Sequence, residues 1–292
     1  MGRLACVDGE ILSPDDAKVS DYDRGFLYGD SVFETIRTYG GRPFALDEHV
    51  CRLKRSSDLV GIQLPVEPSA LAAEIDRAIV AGANPESYVR VMITRGVGPL
   101  GLDPAHVTHP LRIVFIEPLT PLPVAMYRDG VSVITHRTER ASDAAHGAKV
   151  GNYLGGMMAL RVARQVGAHE ALILDAKGRV TEGTTSNVFI VRGQTIVTPP
   201  HDAGILLGIT RAKIIELAPQ IGLSMEFSSL LPTDLVAADE VFLSSSIREI
   251  LPVVRVDGVP VGNSKPGPTT RALHTAFRAL VGLENAPPPW EE

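Results

Sequence analysis

Lys149 stands in the run His146-Gly147-Ala148-Lys149-Val150-Gly151-Asn152-Tyr153, where small residues crowd one long amine ahead of an apolar helical stretch. Such packing can desolvate the ammonium, lower its pKa and free a nucleophile for a carbonyl cofactor. Taken singly, a solvated lysine at a helix start explains the same residues, because buried lysines are rare. Glu182 lies between Arg179-Val180-Thr181 and Gly183-Thr184-Thr185-Ser186-Asn187. A carboxylate at a strand end can keep a pyridine nitrogen protonated and so make the ring an electron sink; a turn glutamate with no chemical task fits as well.

Gly208-Ile209-Thr210-Arg211 opens a helix, with Thr210 at its N-cap or in its first turn. Free N–H groups and the helix dipole make an anion seat there, as at any capped helix. Ser244-Ser245-Ser246 ends the strand Val241-Phe242-Leu243, and its hydroxyls and N–H groups can share that anion or form a plain polar loop. Arg52 sits on a helix whose apolar face is Leu46, Val50 and Leu53. Its guanidinium either enters a cleft to bind phosphate or joins Lys54 and Arg55 on a wet face, the wet face being the first expectation.

Elements must hold these groups in place. Strands are expected at Ser31–Tyr39, Tyr88–Thr94 and Leu111–Ile116, with helices at Leu46–Leu59 and Ser69–Ala81. Three prolines in Glu117–Pro123 suit neither a helix nor a central strand and mark a linker. Beyond it come strands at Val131–Thr135, Ala171–Leu174, Asn187–Val191 and Glu240–Leu243, and helices at Gly155–Gln165, Thr210–Ile221 and Thr269–Val281. The expectation is a two-domain α/β (α+β) chain: residues 1–118 as a small N-terminal domain, 119–127 as linker, 128–283 as a larger domain and 284–292 as a flexible tail.

Composition narrows the class of function. A chain of 292 residues that is 45% hydrophobic can bury one large core or two ordinary ones, since single cores stop growing near ~250–300 residues, and two domains are expected. Its net charge of −6 carries no basic stripe for a phosphate backbone, so small molecules rather than nucleic acid are the expected partners. No apolar stretch approaches the ~20 residues that cross a bilayer. Only Cys6 and Cys51 occur, and no signal peptide or metal-ligand cluster is read, so a reducing cytoplasm and no metal are expected.

Taken in order and spacing, the motifs resemble those of the fold-type IV pyridoxal phosphate (PLP) enzymes: the branched-chain and D-amino-acid aminotransferases and aminodeoxychorismate lyase. The likeness runs from Tyr22-Asp23-Arg24-Gly25 through Tyr28-Gly29-Asp30-Ser31-Val32-Phe33-Glu34 to Glu249-Ile250-Leu251-Pro252-Val253. It implies a D-amino-acid aminotransferase-like fold and a homodimer with active sites at the domain junction. Lys149 would be the Schiff-base lysine and proton shuttle, Glu182 the pyridine partner and Arg52 a phosphate ligand. Ile209 and Thr210 would bind phosphate, helped by Ser245 or Ser246, and Tyr153 would lie near the phenolic oxygen. The short spacing from Lys149 to Asn152 matches the D-amino-acid and lyase branches.

For substrate, Tyr88-Val89-Arg90 resembles the Tyr-x-Arg strand of branched-chain enzymes, and Gly98-Pro99-Leu100-Gly101-Leu102-Asp103-Pro104 their following loop. D-amino-acid enzymes place a carboxylate-trapping arginine and histidine where Leu100 and Leu102 stand here, and an apolar loop cannot offset a carboxylate's desolvation. The resemblance assigns Tyr28, Phe33, Thr35, Tyr88, Arg90, Leu100 and Ile247 to the substrate. Yet Thr35 replaces a glycine common in branched-chain enzymes, and Thr94-Arg95-Gly96 follows the other branches. The expected reaction is transfer of an amino group from an aliphatic, branched-chain L-amino acid to 2-oxoglutarate or another keto acid. The alternatives are an (R)-amine or D-amino-acid transaminase, an aminodeoxychorismate lyase, and a two-domain binding protein without catalysis.

Overall fold

The computed structural model describes residues 2–107, 109–137 and 147–291; His146 of the lysine motif lies outside them. The chain divides into two compact units, Met1–Thr120 with Gly147–Tyr153, and Pro121–His146 with Leu154–Glu292.

In the first unit, β1 (Leu4–Val7), β2 (Glu10–Leu12), β3 (Ser31–Tyr39), β4 (Arg42–Pro43), β5 (Ser87–Thr94) and β6 (Leu111–Pro118) form an antiparallel sheet, ordered β2-β1-β6-β5-β3-β4. Alternation along β3 and β5 sends Val32, Ile36, Val89, Val91 and Ile93 to the core, under Val50 and Leu53 of α2 (Leu46–Leu59) and Leu71 and Ile75 of α3 (Pro68–Gly82). Pro68 occupies the first turn of α3, where its missing N–H costs nothing. A short helix, α1 (Arg24–Tyr28), is capped by Asp23, whose carboxylate accepts from the Gly25 N–H at 2.7 Å.

The second unit opens with α4 (Val124–Arg128), so helix occupies residues expected as linker, while β6 already reaches Pro118. Its sheet runs β12 (Ser224–Phe227), β11 (Thr195–Thr198), β10 (Asn187–Arg192), β13 (Glu240–Ser245), β14 (Glu249–Val256), β7 (Val131–Arg137), β8 (Glu170–Leu174) and β9 (Val180–Gly183), with β15 (Val259–Pro260) on β14. Around it lie α5 (Leu154–Gln165), α6 (Ile209–Leu217), α7 (Pro232–Val236) and α8 (Pro268–Leu280). The helix expected over Thr210–Ile221 changes to a 3-10 turn at Ala218–Ile221, because Pro219 lacks the N–H that would continue it. Sequence pattern does not predict β14, since Pro252 argues against a central strand. It is tolerated because the neighbouring β7 begins only opposite Val253. At the C-terminus, Trp290 packs on His274 with ring centroids 5.3 Å apart. Among the described residues no helix is long and apolar enough to cross a membrane.

Candidate active site

The segment carrying Lys149 lies along β3. The Phe33 N–H donates to the Lys149 carbonyl at 2.9 Å, the Gly151 N–H donates to the Ser31 carbonyl at 2.7 Å, and Val150 bridges Val32. The Lys149 N–H donates to Ser56 Oγ on α2 at 3.0 Å. A Cβ on Gly151 would strike Ser31 Oγ, so a larger residue here would force that hydroxyl aside. These bonds explain why Gly147–Tyr153 groups with the first unit although the residues on either side do not.

So anchored, Lys149 is half-buried, with Nζ 3.4 Å from the Tyr153 hydroxyl and 4.5 Å from the centre of the Phe33 ring. Phe33 meets Tyr153 edge to face at 5.2 Å, and the Arg90 guanidinium lies 3.8 Å over the Phe33 ring. The register pairs Thr35 with Arg90 and Arg37 with Tyr88, so Phe33, Thr35, Tyr88 and Arg90 share the sheet face turned away from the core. Four of the expected substrate residues are therefore neighbours of one another.

Arg52 does not join a wet face. It is 4% exposed and clasps Glu34 of β3, Nε to Oε1 at 2.7 Å and Nη2 to Oε2 at 2.6 Å, while His49 Nδ1 lies 2.7 Å from Oε2. Burial raises the Glu34 carboxyl, but the Arg52 charge and hydrogen bonds, with those of His49, outweigh it and bring it down to about 2. Burial foremost lowers the His49 imidazole; Glu34 opposes this, and Arg52 and Lys149 reinforce it. Sequence reasoning missed Glu34 and His49 because their link to Arg52 spans two elements. Their spacing on α2, His49 to Arg52, places them on one helix face, and that was the available signal.

Tyr28 is hydrogen-bonded to the residue after Leu100. The Tyr28 hydroxyl accepts from the Gly101 N–H at 3.0 Å, next to an exposed Leu100.

In the second unit Glu182 ends β9 buried, one carboxylate oxygen accepting from the Leu206 N–H at 2.9 Å and lying 3.4 Å from Asn187 Nδ2. Asn187 also donates to the Leu206 carbonyl at 2.9 Å. A Cβ on Gly208 would collide with Asn187 Oδ1, so a larger residue here would displace the Asn187 side chain. Gly208 is the N-cap of α6, which puts Ile209 and Thr210 in its first turn, Thr210 buried. Asn187 pairs with Ser244 across β10 and β13, so Glu182, Gly208–Thr210 and Ser244–Ser246 gather at one sheet end, with Ile247 in the following turn. A free helix N-terminus beside hydroxyls suits an anion, and a carboxylate held by an N–H suits a protonated ring nitrogen. Ser244 Oγ is buried with no partner among the described residues, so this end retains hydrogen-bonding capacity.

A buried carboxylate absent from the sequence reading ties these turns together. Glu170 accepts from Thr184 Oγ1 at 2.9 Å, the Thr185 N–H at 2.7 Å and Ser186 Oγ at 3.1 Å on one side, and from Arg248 Nη1 at 2.8 Å on the other. Arg211, buried beside Thr210, donates to the Pro199 carbonyl at 2.9 Å, and burial lowers its guanidinium to about 10.

Residues 31–256 match the family described as amino-transferase class IV, and the chain belongs to that family. It is 38% identical over 276 residues to a putative branched-chain-amino-acid aminotransferase of Methanocaldococcus jannaschii, covering 94% of this chain and 95% of the relative. A D-alanine aminotransferase of Bacillus licheniformis is 32% identical (96% and 97% covered), and an aminodeoxychorismate lyase of Bacillus subtilis is 32% identical (94% of each). Among solved structures, the branched-chain amino acid aminotransferase of Escherichia coli superposes with a TM-score of 0.91 at 31% identity, covering 97% of this chain and 96% of that one. A second branched-chain aminotransferase structure, with pyridoxamine 5'-phosphate, gives the same TM-score of 0.91. The fold is that of the fold-type IV aminotransferases, and the protein is an aminotransferase-family enzyme.

Proposed function

We propose that this enzyme uses PLP to move an amino group from an aliphatic, branched-chain L-amino acid to 2-oxoglutarate or another keto acid. The observation that carries the reading is the Lys149 amine, fixed by backbone bonds to β3 and held between Phe33 and the Tyr153 hydroxyl. When bound, PLP supplies a carbonyl carbon for covalent capture and a ring that withdraws electrons. Lys149 Nζ would hold it and, once displaced by the substrate amine, would serve as the base for the proton of the substrate α-carbon, with the Tyr153 hydroxyl beside Nζ. Glu182 holds the proton on the pyridine nitrogen, kept in position by Leu206 and Asn187. Arg52, the Ile209 and Thr210 N–H groups and the Thr210, Ser245 and Ser246 hydroxyls take the phosphate.

Tyr28, Phe33, Thr35, Tyr88, Arg90, Leu100 and Ile247 serve the substrate. The Phe33 ring and the Leu100 side chain suit an aliphatic group, and Arg90 on the same face as Phe33 suits its carboxylate. The Methanocaldococcus relative's name supports the branched-chain choice. Exposed Tyr22 and Phe26 support a homodimer, and the reaction suits the cytoplasm.

The test begins with spectroscopy. Purified protein should show a visible cofactor band that borohydride abolishes and Lys149→Ala lacks, while far-UV circular dichroism of that variant stays native. A panel of L-leucine, D-alanine and (R)-1-phenylethylamine with 2-oxoglutarate should favour L-leucine. Pyruvate released from aminodeoxychorismate without a keto acid would reassign the enzyme as a lyase, and activity confined to D-alanine or the amine would reassign its stereochemistry.

A further inference from the structure

We infer that Arg24 is a positioning residue that sets substrate side-chain specificity by clamping the loop that carries Leu100. The inference rests on the proposed substrate role of Leu100.

The loop Gly98–Asp103 belongs to no strand or helix, and it exposes Leu100 (69%) and Leu102 (80%), so burial of its own side chains cannot hold it. Polar bonds from α1 hold it instead. Arg24 is 3% exposed, and all three guanidinium nitrogens are engaged: Nη1 donates to the Gly101 carbonyl at 2.8 Å, Nη2 to the Leu102 carbonyl at 3.1 Å and Nε to Asp30 Oδ2 at 2.9 Å. The guanidinium lies 4.9 Å over the Tyr28 ring, and the hydroxyl of that ring accepts the Gly101 N–H. The two carbonyls and one N–H that follow Leu100 are thus fixed from one helix.

The clamp is itself braced. Asp30 Oδ2 also accepts from Arg95 Nε at 2.8 Å, and Arg95 donates to the Gly61 and Val60 carbonyls just beyond α2 at 2.6 and 2.9 Å. Burial raises the Asp30 carboxyl, yet the two arginines hold it below its ordinary value, so it remains charged between them. A planar fork reaches both loop carbonyls at once, which a lysine ammonium cannot do. With the fork removed, the loop samples many positions and its leucines no longer form a fixed apolar wall.

Wild type, Arg24→Lys, Arg24→Met and Tyr28→Phe are compared by hydrogen exchange of residues 98–107 and by kcat/KM for L-leucine and L-alanine. Losing two charge-assisted bonds should speed exchange in the loop by about tenfold in Arg24→Met, with Arg24→Lys intermediate and Tyr28→Phe smaller. The leucine-to-alanine ratio of kcat/KM should fall by about tenfold, chiefly through KM, since methylene-scale contacts in an apolar wall carry that discrimination. The cofactor band should not change. Unchanged loop exchange, or an equal loss for both donors, would overturn the inference. If Arg24→Met does not fold, the lysine and Tyr28 variants decide it by the same two measurements. A wild-type protein without a cofactor band would instead sink the PLP reading, and exchange would still report whether the clamp exists.

Discussion

Glu34 and Arg52 form a two-pronged ion pair between β3 and α2, the carboxylate 1% and the guanidinium 4% exposed in side chain, with His49 as the third member. Each of the two oxygens of Glu34 receives one guanidinium nitrogen, so the plane of Arg52 is set by the sheet and not by its own flexible stem. Any anion that Arg52 binds meets a group already oriented.

Removing that partner should be expensive. Glu34→Gln leaves a buried guanidinium without its counter-charge and should cost about 3–5 kcal/mol in urea unfolding. The acid limb gives an independent check. Because the folded pKa of about 2 lies below the ordinary 4.5, the Glu34 contribution is complete above pH 4.5 and disappears as pH falls toward 2. The variant should lack that part of the acid loss; an unchanged acid profile would place the stabilisation elsewhere.

His169 predicts a second pH effect at milder acidity. Its ring is 7% exposed, neither ring nitrogen has a hydrogen-bond partner among the described residues, and burial, then Arg248, lowers it to about 4. A buried neutral imidazole favours the unfolded state once that state takes up protons, so stability should decline from pH 6.5 down to about 4. His169→Leu should remove on the order of 2 kcal/mol from this decline, read as the urea midpoint at about pH 7 against about pH 4.5.

Glu182→Gln keeps an oxygen for the Leu206 N–H but loses the charge that, in the proposed role, would hold a proton on the cofactor's ring nitrogen. The cofactor should stay bound while α-proton removal, followed with deuterated substrate, slows by about a hundredfold. An unaltered rate would mean that the pyridine nitrogen has a different partner.

Gly208→Ala drives a methyl group into Asn187 Oδ1, and Asn187 holds the Leu206 carbonyl and lies against Glu182. Cofactor affinity should drop by about tenfold or more while the unfolding midpoint moves little, because the collision falls on one side chain at a sheet end. Equal losses in both would show that Asn187 is structural and nothing more.

Much of this was legible in the chain. The helix Leu46–Leu59 and the strand Ser31–Tyr39 follow directly from periodicity, and α8 differs from its expected span by a single residue at either end, since apolar spacing is a local property. Lys149 and Glu182 stood out as candidates because short motifs surround each of them. Pro219 and Pro252 mark the limit: one shortened α6 more than the pattern indicated, and the other sits inside a strand its own chemistry disfavours, because only the neighbouring strand's starting point makes it harmless.

The sequence alone determined the family and named the candidate groups and their order, because several short motifs in register specify a family where no single one does. Tertiary structure decided who holds them: Glu34 behind Arg52, Leu206 and Asn187 on Glu182, Glu170 beneath two turns, and Arg24 on the Leu100 loop. These partners are separated by up to 78 residues along the chain. No local pattern encodes such a pairing; it exists only after burial has brought the elements together and each desolvated charge has had to find a counterpart.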